Sequence, residues 1–379
     1  MLIQKIPFNK PYLSGKEIHY INQAVLNGHI SGNGPFTKKC QKHFEEKYGF
    51  QKCLLTTSCT DALEMAAILL DIKDGDEVII PSFTFVSTAN AFILRGAKIV
   101  FTDSRLDHPG MDENHIEELI TDKTKAIVSV HYGGVACDMD KIMQIAEKHN
   151  LFVVEDAAQA IDSFFKGIPL GSFGHLAAFS FHETKNISSG EGGMLVINDR
   201  RLNKRADIIW EKGTNRVEFF NGEVNKYGWV DIGSSFLPSD ITAAFLYAQL
   251  EQLESIQKRR SEIWNLYFSK LKPLSRSKKI GLPVIPEYST NNFHLFYILT
   301  QSIQTRDELI TYLKKSGVNA VFHYLPLHSS PFFHSRYSGK ELNNSLFYSD
   351  HLLRLPIFYE LTDESINYIV QIINSFYSN

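Results

Sequence analysis

Short, fully apolar runs alternate with longer amphipathic segments through the first two-thirds of the chain. The runs predict strands near 78–80, 98–101, 126–130 and 151–154. The segments between them predict helices over 87–94, 113–120 and 138–149. A strand that is apolar at every position, and not only at every second one, is buried on both faces. Such strands alternating with helices build a sheet rich in parallel strands and covered on either side. Two further apolar runs, 176–181 and 194–197, flank a polar, glycine-rich loop and predict another pair of buried strands.

Ahead of this block the spacing predicts a helix over 14–28, with Ile18, Ile21 and Val25 on one face, and a second helix ending near Tyr48. The turn between them, Gly28-His29-Ile30-Ser31-Gly32-Asn33-Gly34-Pro35, has three glycines that permit close approach of a ligand; a plain loop is the alternative. A cluster of small hydroxyl residues, Thr56-Thr57-Ser58-Cys59-Thr60, opens a nearly all-apolar helix. After residue 197 the chain reads as helical to Trp210, then as a polar loop over 212–235, then as a long helix starting near Ile241 with Phe245 and Ala248 on its apolar face. The rest reads as a small α+β unit. It has strands near 293–299 and 319–323, a helix over 306–315, and a last helix carrying Ile366, Ile369, Val370, Ile373 and Phe376.

Composition adds bounds. The 379 residues are 44% hydrophobic and 21% charged, enough for a large domain over 1–250 and a small one over 251–379. A formal net charge of −3 offers nothing that would draw the chain to nucleic acid or an anionic membrane. No apolar run approaches a membrane span. The first residues, Met1 to Pro7, lack a long apolar core and a cleavage pattern, so no signal peptide is expected. Four cysteines (Cys40, Cys53, Cys59, Cys137) without a Cys-x-x-Cys pair fit a reducing cytoplasm.

The candidate chemistry lies in the loop Phe179-Ser180-Phe181-His182-Glu183-Thr184-Lys185-Asn186, which continues to Gly190-Glu191-Gly192-Gly193. A lysine between two buried strands can be held in a dry pocket. There its amine loses solvation, its pKa falls from about 10.4 toward neutrality, and it becomes a nucleophile toward carbonyls. A solvated surface lysine is the bland alternative. The run Leu151-Phe152-Val153-Val154-Glu155-Asp156-Ala157-Ala158-Gln159 weighs against that. It reads as a central strand that carries acids into a crevice, where a buried carboxylate needs a cationic partner. The protonated ring nitrogen of pyridoxal phosphate (PLP) is such a partner, and a reactive lysine plus a strand-end carboxylate is the minimum kit for a PLP enzyme. A helix N-cap is the alternative for Asp156. The hydroxyl cluster at 56–60 suits a phosphate at a helix N-terminus, or simple N-capping. Phe85, at a strand end, could stack on a flat ring or belong to the core. His323 and His328, in His323-Tyr324-Leu325-Pro326-Leu327-His328, lack further ligands at zinc spacing, so no metal is expected and a substrate-facing loop is.

On these motifs the chain resembles a DegT-type nucleotide-sugar aminotransferase, within the fold type I PLP enzymes, over essentially its whole length. The resemblance implies an α/β fold: a large α/β/α domain with a mainly parallel sheet, plus a small C-terminal α+β domain. Within that family it is most similar to members that aminate a dTDP-linked 4-keto-6-deoxy sugar. Ser87-Thr88-Ala89-Asn90-Ala91-Phe92, Glu211-Lys212-Gly213-Thr214-Asn215-Arg216 and Asp231-Ile232-Gly233-Ser234-Ser235 carry that closer likeness. It implies that Lys185 holds PLP covalently, that Asp156 pairs with the ring nitrogen, that Gln159 lies by the phenolic oxygen and that Phe85 stacks on the ring. Cys59, Thr60 and Ser180 would bind the phosphate. His182, Arg216, His323 and Tyr324 would face substrate. The resemblance further implies a cytoplasmic homodimer with shared active sites. One motif departs: relatives often read Gly-Tyr-Asn-Tyr-Arg where this chain has Gly233-Ser234-Ser235-Phe236-Leu237, so Ser235 is left as the contact to the neighbour's phosphate.

The implied reaction has two halves. L-Glutamate gives up its nitrogen and leaves as 2-oxoglutarate, and a dTDP-keto-sugar then takes that nitrogen at the same site, which should give ping-pong kinetics. The implied product is dTDP-4-amino-4,6-dideoxygalactose, with the 4-amino-4,6-dideoxyglucose epimer or a 3-amino sugar as alternatives. A PLP-dependent sugar dehydratase replaces the lysine with histidine, which Lys185 opposes. A non-catalytic PLP-fold protein would lose Lys185 or Asp156. A nicotinamide-dependent oxidoreductase would need a Gly-x-Gly-x-x-Gly after a strand, which is absent.

Overall fold

The computed structural model describes residues 5–378. Two helices lead in: α1 (Glu17–Leu26) and α2 (Pro35–Tyr48). An alternating block follows: β1 (Cys53–Thr56), α3 (Cys59–Leu69), β2 (Glu77–Pro81), α4 (Val86–Ile93), β3 (Lys98–Thr102), β4 (Thr124–Val130), α5 (Met139–His149) and β5 (Phe152–Asp156). A two-stranded hairpin, β6 (Phe164–Phe165) with β7 (Ile168–Pro169), precedes β8 (Leu176–Ser180) and β9 (Gly193–Ile197). Seven strands join in the order β1-β9-β8-β5-β4-β2-β3. Only β9 runs against the rest, because it pairs antiparallel with both β1 and β8. The sheet is therefore mostly parallel, as the apolar runs predict.

Alternation along each strand sorts the core. Leu55, Ile79, Ile127, Val153, Phe179 and Val196 face α2, α5 and α8 (Asp240–Leu250). Their neighbours Leu54, Val78, Val128, Val154, Ala178 and Leu195 face α3, α4 and α6 (Asn203–Trp210). Both faces are dry, so the strands are apolar at most of their positions. Between α6 and α8 lies α7 (Arg216–Phe220), a short helix inside the segment expected to be plain loop. After α8 comes α9 (Leu253–Arg276). Its first residues, Leu253 and Ile256, pack on the large core, and those from Ile263 onward pack on a separate one. That second core holds β10 (Phe296–Leu299), α10 (Ile303–Lys315) and β12 (Leu352–Leu355), which pairs between β10 and β11 (Val321–Phe322). The strand β12 follows α11 (Asn343–His351), and α12 (Asp363–Ser378) closes the chain. Ile6 also packs into this second core.

Several expectations change. The helix expected over 113–120 is two short 3₁₀ turns. Asp112 accepts bonds from the Asn114 N–H at 3.1 Å and its side-chain amide at 2.8 Å, a local turn that competes with helix. The single long helix from Ile241 breaks between α8 and α9. Helix α1 is turned the other way: Ile18 and Val25 face out, at 76% and 51% exposure, while Glu17 is buried. Its carboxylate accepts from Ser14 N at 2.7 Å, Gly15 N at 2.9 Å and the Gln249 amide at 2.6 Å, which satisfies the inward face with polar bonds. In the glycine turn at 28–35, Gly34 packs against protein. A Cβ on Gly34 would sit 2.4 Å from the Asp240 carboxyl, which accepts the N–H groups of Phe36 and Thr37 at the start of α2.

Candidate active site

The site forms where the parallel strands end. The C-terminal ends of β1, β2, β4, β5 and β8 open on one edge of the sheet, and the segments that follow them line a single cavity of about 500 Å³. Ser58, Cys59 and Thr60 follow β1; Thr84, Phe85 and Thr88 follow β2; His131 follows β4; Lys185 follows β8. The small unit closes the far side with His294, Leu295, His323, Tyr324 and Arg354.

Asp156 is the last residue of β5 and points into the cavity. Its neighbour Glu155 points the other way. There it accepts from Gly171 N, Phe173 N and Gly174 N at 2.7–2.8 Å and pairs with His131 Nε2 at 3.0 Å. Strand alternation thus gives one acid to the scaffold and one to the cavity. Asp156 accepts from Thr88 Oγ1 at 2.7 Å and Ala158 N at 3.2 Å, and no cation contacts it among the described residues. Burial pushes its carboxyl above the usual range, against the pull of those two bonds, Lys185 and His131. Burial likewise lowers the Lys185 amine, against Cys59 and Asp156. The Lys185 amine has no hydrogen-bond partner among the described residues; only its backbone N–H is bonded, to the His182 carbonyl at 2.9 Å.

The start of α3 opens on the cavity. Ser58 caps it by accepting from Asp61 N at 3.0 Å, and the first N–H groups of a helix have no partner within it. Gly193 of β9 presses against this turn: a Cβ there would lie 2.3 Å from the Ser58 carbonyl. Any other residue would displace the cradle. Thr60 donates to Ser87 Oγ at 2.8 Å, which ties the starts of α3 and α4 together.

Of the residues expected at the site, Cys59, Thr60, Phe85, Asp156, Gln159, Ser180, His182, Lys185, His323 and Tyr324 all line this cavity. Phe85 is 55% exposed, so it is a wall with an open face and not a core residue. Gln159 accepts from Gly133 N at 2.7 Å and donates to Tyr324 at 2.9 Å, so its amide joins the two walls. Tyr132 bonds His323 in turn. Ser235 and Arg216 are not in this cavity: both are exposed on the 212–235 segment, with Arg216 stacked on Phe220 at 5.2 Å. His328 is apart as well, bonded to Ser82 at 2.7 Å. The reading of the sequence missed Arg354, His294, Phe8 and Asn9. For Arg354 a signal existed, since it is the lone charge in Leu352-Leu353-Arg354-Leu355-Pro356-Ile357.

A partnerless lysine amine lining the cavity, a buried carboxyl that no cation contacts among the described residues and a capped helix start held open by a glycine define a PLP enzyme, and these residues fit that cofactor. The particular family follows from comparison. Residues 11–374 match the DegT/DnrJ/EryC1/StrS aminotransferase family, and the chain belongs to it. It is 35% identical over 378 residues to GDP-perosamine synthase of Escherichia coli O157:H7, covering 99% of each. It is 32% identical to the spore coat polysaccharide biosynthesis protein SpsC of Bacillus subtilis, covering 97% of this chain and 95% of that one. Its fold matches the Streptococcus pneumoniae protein Spr1654 in the PLP form, with a TM-score of 0.91, 26% identity and 99% of each chain covered; a PMP form matches equally well. The protein is a PLP-dependent sugar aminotransferase.

Proposed function

We propose that this aminotransferase takes nitrogen from L-glutamate and delivers it to dTDP-4-dehydro-6-deoxyglucose, giving dTDP-4-amino-4,6-dideoxygalactose. The observation that carries the catalytic part is one cavity shared by the partnerless Lys185 amine and the Asp156 carboxyl. When bound, PLP supplies an electron sink for the charge left on the substrate carbon as its proton departs. Lys185 is the base placed to take that proton and the acid that returns it, because burial loosens its hold on a proton. Asp156 holds positive charge at the ring nitrogen, and Thr88 orients the carboxylate. His182, His323 and Tyr324 position the sugar, and the walls they belong to keep water from the reacting carbon.

The closer likeness over 87–92, 211–216 and 231–235 supports the dTDP-linked acceptor. A second reading has a GDP-linked keto sugar, favoured by the likeness to GDP-perosamine synthase. The test is to incubate the holoenzyme and glutamate with dTDP-4-keto-6-deoxyglucose or with its GDP-linked counterpart, and to identify products by NMR. We expect the dTDP sugar to be aminated at C4 with the galacto configuration. Turnover of the GDP sugar alone would replace this reading with the second, and an equatorial C4 amine or a C3 amine would change only the stereochemical part. The proposed substrates place the enzyme in the cytoplasm; no helix among the described residues is long and apolar enough to cross a membrane.

The reading includes a homodimer whose sites each borrow from the other chain. Its support is the 212–235 segment, where Phe220, Tyr227, Trp229 and Val230 stand exposed beside Arg216 and Ser235. Mixing a Lys185→Ala chain with one cut short in 212–235 tests it. Shared sites restore part of the activity in the mixed dimer, because one site then has both an intact lysine and an intact borrowed loop. Proven mixed dimers that stay inactive would count against sharing.

A further inference from the structure

His294 stands just before β10, on the wall that the small unit gives the cavity. Its Nδ1 lies 2.9 Å from Oδ1 of Asn186, the residue after Lys185. That amide has only one possible orientation. Its Nδ2 faces the backbone carbonyl of Asn292 at 2.8 Å and Oε1 of Gln257 at 2.7 Å, and a carbonyl can only accept. Oδ1 is therefore turned to the ring, and His294 Nδ1 carries the proton it donates. Burial pushes the ring well below the usual histidine range, and the charges of Lys185, Arg260 and Arg354 add to that. A neutral ring protonated at Nδ1 keeps a lone pair at Nε2. No group among the described residues donates to it. The ring's placement is held at a cost. Phe293 sits at φ 57°, in the left-handed region, and Arg260 fixes that turn by donating to the Phe293 carbonyl at 3.0 Å and to the His294 carbonyl.

An unused acceptor in a cavity awaits a donor, and the proton carrier supplies one. On the reading of the function given above, the proton of the substrate carbon becomes the third N–H of the Lys185 side chain. That makes an ammonium where burial opposes charge. The other groups that bear on the amine give it no free acceptor. Arg354 only donates, Cys59 is a thiol that burial keeps protonated, and Asp156 is committed to the ring nitrogen of the cofactor. We propose that His294 is the positioning residue for the proton carrier: its Nε2 accepts a hydrogen bond from the Lys185 ammonium and steadies it between taking the proton and delivering it. No proton passes to the ring; the one taken from the carbon stays on Nζ until delivery. A carboxylate in that position would grip the ammonium too tightly to release the proton, whereas a neutral imidazole stabilises the charge by one hydrogen bond only.

Two substitutions divide the ring between them. In His294→Asn the amide nitrogen takes the place of Nδ1 toward Asn186, but nothing reaches the position of Nε2. In His294→Gln the amide oxygen reaches that position, and the bond to Asn186 is lost. A role through Nε2 makes His294→Asn the damaging change; a purely structural role makes it His294→Gln. On cofactor-free protein, the pH dependence of Lys185 acetylation by acetic anhydride, read by mass spectrometry, gives the pH at which the amine is half protonated. His294→Asn should move that point down by about one pH unit, a roughly tenfold weaker hold on the proton, and His294→Gln should leave it near wild type. On the loaded enzyme, His294→Asn should slow both half-reactions about 10- to 50-fold, with both KM values within about 2-fold and a larger isotope effect with α-deuterated glutamate. His294→Gln should recover most of that loss. Nitrogen-15 NMR of the cofactor-free wild type should show a neutral His294 with its proton on Nδ1 near neutral pH, which decides the matter if neither variant folds. A proton on Nε2, a charged ring, an unmoved lysine titration in His294→Asn, or a greater loss in His294→Gln would each overturn the assignment. A wild-type enzyme that aminates no keto sugar would overturn the functional reading alone, since the lysine titration needs neither substrate.

Discussion

The strand-end floor of the cavity and the 212–235 segment are built on opposite terms. On the floor, Asp156 is matched by Thr88 and Ala158, Glu155 by three backbone N–H groups, and Gln159 by Gly133 and Tyr324. The Lys185 amine, which the chemistry has to leave free, has no hydrogen-bond partner among the described residues. In the 212–235 segment large apolar groups stand in solvent: Trp229 is 84% exposed, Phe220 69% and Tyr227 51%. The floor is rigid because the sheet fixes it before any ligand arrives. The segment has local order, with Thr214 bridged to Trp229 and Arg205 bonded to Asp231 at 2.7 Å, but its apolar side faces outward. An unmatched polar group inside marks where small molecules act. An unmatched apolar group outside marks where another surface is expected.

The comparison breaks most sharply at Lys185. Lys185→Ala should abolish multiple turnover while the protein still folds, since no hydrogen bond is lost; appreciable turnover would mean the free amine is not the proton carrier. Asp156→Asn keeps the shape but removes the charge, and both half-reactions should slow by about 100-fold or more in pre-steady-state measurements. Replacing the exposed aromatics tests the other region. Trp229→Ser should weaken self-association measured by sedimentation and lower activity at dilute protein, with little effect on the melting of each chain. Thr88→Val leaves one Asp156 oxygen without its donor, which costs about 1–2 kcal/mol and should lower kcat about 10-fold.

The smallest effect concerns pH and the protein freed of cofactor. Burial raises the Asp156 pKa above its ordinary 3.8, so between that value and the raised one the folded chain binds more protons than the unfolded chain. Stability therefore falls as pH rises through this window, and the full penalty stands above it. The cofactor-free Asp156→Asn protein should thus melt higher than cofactor-free wild type at pH 7. The gap should close as pH falls toward 3.8. A gap that widens with acid would show that the carboxyl is stabilised, and not strained, by its surroundings.

What the sequence determined by itself was the alternation of runs, hence the sheet, and the two groups that share the cavity at its edge. Lys185 and Asp156 were legible because a charge at the end of an apolar run has few places to go, and the fold puts strand ends on one edge. Direction and partnership were not legible. Periodicity says that Ile18 and Val25 share a face with each other, but not that Glu17 would take the inside through bonds to Gln249 and the Ser14–Gly15 backbone. It shows three glycines in a turn, but not that Gly34 makes room for the Asp240 carboxyl. Arg354 stands 169 positions from Lys185 (354 − 185), on a strand of four residues too short to register as a pattern. Only the meeting of two separately packed cores brings it to the cavity. Contacts across such a boundary depend on where whole units sit, and local spacing along the chain carries no record of that.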